Sequence, residues 1–220
     1  MTGFSESAWR AVAPTYAEIL DHPFVSALRE GTLGEDVFAR YLLDDAHYLT
    51  GYARTLAALA ARMPDPEGIG LLAGSAAGAV VAERELHRAF LVPRGIDPDA
   101  PDAPAPTPTC LAYTGFLLTH AATSPVEVGL AAVLPCFRVY AEVGRAIAGS
   151  VALEDHPYAA WIAAYSDPDF EASVVAVQDA ADALASTTSS EHLREMHAAY
   201  ATATRLEWRF WDASWCGETL

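Results

Sequence analysis

Apolar and aromatic residues in this chain recur at three- and four-residue intervals, and no stretch alternates apolar with polar residues long enough to lay down a sheet. Phe38, Tyr41, Asp45, Tyr48 and Tyr52 show the spacing most clearly; on a helix they share one face. Segments patterned this way bury their apolar faces by packing helix on helix. The abundance of alanine, leucine, glutamate and arginine favours the same outcome, because these residues lose little side-chain freedom in a helix.

Proline and capping residues divide the chain. A first helical segment begins near Ser5, a good N-cap, and breaks or bends around Pro14 and Pro23. A long helix follows over about 35–62. Asp65-Pro66-Glu67 opens the next, with Asp as cap and Pro in the first turn, and it runs to about Phe90. Residues 93–108, rich in Pro, Asp and Gly, form the main irregular connection, too short for a domain linker. A helix over about 108–122 follows. Ser124-Pro125-Val126-Glu127 combines a capping box with a proline start and predicts a helix over 125–148. A short helix at 157–165, one opened by Asp167-Pro168 and running to about 185, and a last one capped by Thr188 with Glu191 and ending near Trp215 complete the chain. The expectation is an all-α bundle of seven to eight helices on one core, a single domain over 1–220.

The chain has 220 residues, 52% of them hydrophobic, which excludes disorder over most of its length. Its net charge of −16 repels phosphate backbones and anionic lipid, so neither nucleic acid nor a membrane surface is an expected partner. No apolar run reaches the roughly 20 residues that span a bilayer. No basic segment followed by an apolar run opens the chain, and three cysteines are too few for a disulfide scaffold. These features predict a cytoplasmic protein with reduced thiols. Phosphate-loop, dinucleotide and zinc-spacing motifs are absent from the sequence.

Four groups of residues bear chemistry. In Leu134-Pro-Cys-Phe-Arg-Val-Tyr140 a proline sits deep in a helix, where it costs about 3 kcal/mol, beside Cys136 and one turn from Tyr140. The distortion either places a reactive thiol or surrounds a cysteine that is simply a small buried apolar residue. Asp45, on the aromatic face of Tyr41, Tyr48 and Tyr52, needs a partner: a polarised heterocycle, an arginine, a hydroxyl or a helix end. Glu207 lies in the aromatic run Trp208-Arg-Phe-Trp211. It is either an acid with a raised pKa or a solvated carboxylate paired with Arg205 or Arg209. Glu83 and His87, four apart, suit one side of a non-haem di-iron site, or a surface glutamate and a core-edge histidine.

Taken in order, His22-Pro-Phe-Val, Phe38-Ala-Arg-Tyr-Leu-Leu-Asp-Asp-Ala-His-Tyr-Leu, Glu83-Arg-Glu-Leu-His-Arg-Ala-Phe, Ala112-Tyr-Thr, Leu134-Pro-Cys with Tyr140, and Glu207-Trp-Arg-Phe-Trp make nearly the whole chain resemble the TenA family of thiaminase II or aminopyrimidine aminohydrolases. The resemblance implies a haem-oxygenase-like helical fold without haem, no metal or other cofactor, and a homotetramer. Cys136 places the chain with the family's cysteine-bearing branch. The implied activity belongs to thiamine salvage: hydrolysis of 4-amino-5-aminomethyl-2-methylpyrimidine, and of thiamine, to 4-amino-5-hydroxymethyl-2-methylpyrimidine. Carried onto this chain, Cys136 is the nucleophile, with a lowered pKa or a nearby base. Glu207 handles protons, Asp45 recognises the aminopyrimidine, Tyr48 stacks on or beside the ring, and Tyr113, Tyr140 and Tyr165 line the pocket. Arg138, Asp44 and His47 stand where the family often carries a large aromatic, a Gln and a second aromatic, and so bear on which substrate fits. Two other readings are a di-iron oxidase or oxygenase on the same fold and a non-catalytic pyrimidine binder.

Overall fold

Several helix starts in this chain are set by side chains that supply the missing backbone acceptors. The computed structural model describes residues 3–97, 100 and 103–220, and of residues 82, 83 and 87 the backbone alone. Among them run α1 (Phe4–Ala11), α2 (Ala13–Leu20), α3 (Pro23–Glu30), α4 (Glu35–Ala60), α5 (Pro66–Leu86), α6 (Pro108–Thr123), α7 (Val126–Ala148), α8 (Ala159–Tyr165), α9 (Pro168–Thr187) and α10 (Ser190–Cys216), with no strand. His22 Nδ1 accepts the Phe24 N–H at 3.1 Å, so the His22-Pro23 pair is a cap followed by a proline in the first turn. Thr107-Pro108 and Asp167-Pro168 open α6 and α9 in the same way.

The expected architecture holds, and three local readings change. Gly3, not Ser5, occupies the N-cap of α1; Ser5 turns its backbone N–H and its hydroxyl to Asp182 of α9. At 124–127 the helix forms without the capping box. Pro125 is the N-cap, the Ser124 hydroxyl pairs with His120 Nδ1 at 2.8 Å, and Glu127 accepts from Thr188 at 2.6 Å. The cap of α10 is accordingly Ser189, one residue after Thr188. Ser5, Glu127 and Thr188 bond to distant partners, whereas Ser124 bonds back to His120 of the preceding helix.

Helix α5 passes into a π-helical turn, His87–Leu91, and a 3-10 turn, Val92–Arg94. No described helix is long and apolar enough to cross a membrane.

Helix α7 lies at the centre. Leu130, Leu134 and Val139 are wholly buried, each such side chain contributing roughly 1.5–3 kcal/mol. It packs on α10, α9 and α8, while α4 packs on α5 and α6. It runs unbroken through Pro135, whose missing N–H leaves the Ala131 carbonyl without its usual donor. Tyr52 of α4 donates to the nearby Val133 carbonyl at 2.9 Å and ties the two helices at this turn.

Gly144 sets how closely α8 approaches. A Cβ there would sit 2.7 Å from the carbonyl carbon and oxygen of Tyr165, backbone atoms that cannot swing aside. Gly144→Ala should therefore push α8 outward and destabilise the fold by about 1–3 kcal/mol. Scanning calorimetry would read this as a loss of roughly 2–4 °C in Tm per kcal/mol.

Candidate active site

Helices α4, α5, α7, α8 and α9 enclose a cavity of about 470 Å³. Helix α4 contributes Asp45, Tyr48, Leu49 and Tyr52; α7 contributes Cys136, Phe137 and Tyr140; α8 and α9 add Tyr165, Phe170 and Ser173. The fourth wall is the small-residue face of α5, with Gly70, Gly74, Ser75 and Gly78. Alternation of three- and four-residue steps brings the polar groups of α4 to one face, and the four-residue step from Cys136 to Tyr140 does the same on α7.

The aromatic rings hold one another. Tyr48 stacks on Tyr52 with centroids 5.5 Å apart and packs against Tyr113 at 4.9 Å and Phe210 at 5.3 Å. Tyr140 lies 4.8 Å from Tyr165 and 5.3 Å from Trp211. The Tyr41 hydroxyl donates to the Tyr140 hydroxyl at 3.3 Å and receives the indole N–H of Trp161. Mutual packing of this kind fixes ring orientation before any ligand arrives. The Tyr48 hydroxyl is buried and has no partner in hydrogen-bonding geometry among the described residues, yet it lies close enough to the Cys136 thiol and the Tyr113 hydroxyl to influence both.

Glu207, on α10, is 1% exposed, and Tyr113 of α6 donates to its Oε1 at 2.6 Å. Burial pushes its pKa up to about 8, and the Tyr113 bond offsets part of that rise. Arg205 is turned to Glu18 and Thr15, so the pairing of Glu207 with that arginine does not occur. Burial, and then the charge of Glu207, hold the Cys136 thiol well above its ordinary range, while the Tyr48 and Tyr52 hydroxyls draw it back. The thiol is therefore not acidified by its surroundings in this state. Of the two expectations for Cys136, a nearby proton acceptor is the one the geometry leaves.

Five of the residues picked out from sequence, Asp45, Tyr48, Cys136, Tyr140 and Tyr165, meet at the cavity wall. Tyr113 and Glu207 do not line it; they stand together behind Tyr48. The three departures from the family pattern all lie off the cavity. Arg138 reaches away to Glu6 and the Ser5 carbonyl and lies 4.6 Å from the Trp9 ring centroid, so it braces α1. Asp44 accepts from the Thr107 N–H and hydroxyl, and His47 pairs with the Pro104 carbonyl, so both secure the start of α6.

Cys110 is buried against the Asp44 carbonyl and Cys216 is exposed; neither touches the cavity. The side chains of Glu83 and His87, and with them the di-iron reading, lie outside the described residues. No three His, Cys, Asp or Glu side chains gather among those described. Sequence reasoning missed the α5 and α9 walls. The signal for α5 was present, since Gly70, Gly74 and Gly78 repeat every four residues on one face.

The profile of the TENA/THI-4/PQQC family matches residues 9–217. A thiamine biosynthesis multifunctional protein ThiED from Corynebacterium efficiens is 36% identical over 209 residues, and the match covers 95% of this chain but 28% of that protein. An aminopyrimidine aminohydrolase from Bacillus subtilis is 32% identical over 213 residues, covering 96% of this chain and 89% of the relative. Among solved structures, a TenA homologue from Pyrococcus horikoshii superimposes with a TM-score of 0.87 at 26% identity, over 98% of this chain and 100% of the other. A Shewanella denitrificans domain with a haem-oxygenase-like fold superimposes at 0.70 and 18% identity, over 94% and 90%, which bears on the fold alone.

The raised pKa of Glu207 has a consequence for stability. Between about pH 4.5 and 8 the folded chain holds a proton on this carboxyl that the unfolded chain has lost, so stability present at low pH is lost as the pH rises. Glu207→Gln keeps the acceptor for Tyr113 and removes the titration. Denaturant unfolding should show the variant gaining on wild type from pH 5 to pH 9 by on the order of 4 kcal/mol. A constant difference across that range would place Glu207 at an ordinary pKa.

Proposed function

This chain belongs to the TENA/THI-4/PQQC family, and from that premise we propose that it is an aminopyrimidine aminohydrolase of thiamine salvage, a thiaminase II. The reading rests chiefly on one observation: a thiol, a carboxylate and a set of fixed tyrosines share one cavity of a size suited to a small flat molecule. The relatives named aminopyrimidine aminohydrolase align over nearly their full lengths, which adds support.

In this reading the substrate is an electron-poor aminopyrimidine carrying a CH2–amine or CH2–thiazolium group. The aromatic walls hold the ring flat, and Asp45 pairs with its aminopyrimidine edge. Cys136 Sγ adds to the ring carbon beside the CH2 group, and the displaced electrons expel the leaving group: an amine takes with it a proton ultimately supplied by Glu207, whereas a thiazolium leaves as neutral thiazole and takes none. Water then adds to the exocyclic carbon, its surplus proton goes to Glu207 (to solvent when the leaving group was thiazole), and the C–S bond breaks to restore the aromatic ring and a thiolate, which takes its proton back from Glu207. One difficult displacement becomes two easier steps. No cofactor is needed for this balance.

The whole chain is read as one helical domain working on small molecules rather than nucleic acid, consistent with its charge of −16. Three unpaired cysteines suit a cytoplasmic location. Assembly with its own copies, as a tetramer, is supported by an uncharged outer face on α5, where Ile69, Ala73, Ala77 and Val81 are exposed.

Purified protein incubated with 4-amino-5-aminomethyl-2-methylpyrimidine, and separately with thiamine, should release 4-amino-5-hydroxymethyl-2-methylpyrimidine, followed by mass spectrometry. Cys136→Ala should lower kcat by roughly 1,000-fold or more, as expected for loss of a covalent nucleophile. Tight pyrimidine binding without turnover would instead identify a binding protein. Light scattering should give a mass near four times that of the chain; a monomer would overturn the assembly.

A further inference from the structure

Tyr48 presents a buried cavity-wall hydroxyl with no hydrogen-bond partner among the described residues, a costly arrangement that calls for a use. Its ring lies 4.9 Å from that of Tyr113, and Tyr113 donates to Glu207 at 2.6 Å. On its other side the same hydroxyl acts on the Cys136 thiol. Cys136 lines the cavity, whereas Glu207 and Tyr113 stand behind it. Tyr52, the other tyrosine that acts on the thiol, already donates its hydroxyl hydrogen bond to the Val133 carbonyl.

We propose that Tyr48 and Tyr113 form a hydroxyl chain along which the Cys136 thiol passes its proton to Glu207. The S–H bond breaks and its proton goes to the Tyr48 oxygen; the Tyr48 proton goes to Tyr113, and the Tyr113 proton to Glu207 Oε1. Three bonds to hydrogen break and three form. The site begins with a thiol and a carboxylate and ends with a thiolate and a carboxylic acid. One negative charge is carried throughout.

That conservation is what makes the step reasonable in a buried place. The charge of Glu207 opposes ionisation of the thiol, so two anions side by side are disfavoured. Moving the proton relocates the charge and adds none. It also turns Tyr48 into a donor to the new thiolate, which satisfies the hydroxyl, and it leaves Glu207 holding the proton that the leaving group needs.

The proposal rests on Cys136 being the reacting group, but its test needs no pyrimidine, so its failure is distinct from a failed substrate assignment. Alkylation of Cys136 by iodoacetamide is followed against pH by peptide mass spectrometry in the full chain, which separates it from Cys110 and Cys216. The other ionisable groups around the chain are Asp45, Tyr41 and Tyr52 on α4, Tyr140 on α7 and Tyr165 on α8; burial holds all these tyrosines far above the phenol range.

In wild type the alkylation rate should rise with pH and level off above about 8, where Glu207 has become a carboxylate and thiolate forms only by moving a proton onto it. In Glu207→Gln the rate should keep rising about tenfold per pH unit, because each thiolate then releases its proton to solvent. Tyr113→Phe, at a residue behind the cavity wall, should lower the plateau by about tenfold, and that loss should vanish in a Tyr48→Phe background. A Tyr113→Phe rate equal to wild type, or the same loss with and without Tyr48, overturns the chain. Should Tyr113→Phe fail to fold, the comparison of wild type with Glu207→Gln still decides: a plateau in both, or in neither, overturns it.

Discussion

Helix α7 is apolar on nearly every face, and a helix of that kind must be covered on every face. That demand organises the molecule. Helices α8, α9 and α10 cover α7 directly, and α4 closes on it where Tyr52 reaches the Val133 carbonyl. The turn carrying Cys136 is therefore walled in by necessity, and the thiol meets open space only where α5 stands off with glycine and serine in place of large side chains. Gly144 completes the arrangement by letting the backbone of Tyr165 settle against α7, which brings that ring to the cavity.

Burial on this scale sets the electrostatics of the site. Glu207 is enclosed among aromatic rings with a single hydroxyl donor, so its carboxylate is expensive and its acid form persists to unusually high pH. The same enclosure raises the Cys136 thiol. The charge of Glu207 makes ionisation of the thiol harder still, so the two titrations are linked. Polar residues elsewhere in the sequence have plainer duties. Asp44 and His47 hold the start of α6, and Arg138 anchors α1, although their neighbours in sequence, Asp45, Tyr48 and Cys136, all face the cavity.

Much of this was legible in the sequence because helices are periodic and local. The spacing of Phe38, Tyr41, Asp45, Tyr48 and Tyr52 put these side chains on one side of α4, and Pro66, Pro108 and Pro168 marked helix starts within a residue. Cys136 stood out through Pro135 beside it. Readings failed where a side chain had a choice of partners. Ser5 preferred the distant Asp182 to the end of its own helix, the Thr188 hydroxyl went to the distant Glu127, and the Ser124 hydroxyl went back to His120 of the preceding helix. Tyr113 illustrates the same difficulty at the site. The resemblance assigns it to the pocket lining, whereas the fold puts it behind Tyr48 and against Glu207.

The sequence by itself determined the helical class, the helix starts and the residues able to do chemistry, because periodicity, proline geometry and side-chain functional groups are properties of the chain within a few residues. Only the tertiary structure decided which of those residues share a cavity, which stand behind its wall and which merely join helices. Glu207 lies 71 residues beyond Cys136, and Tyr113 comes from yet another helix. Their protonation depends on solvent exclusion and on one another's charge, and both exist only once the helices have packed.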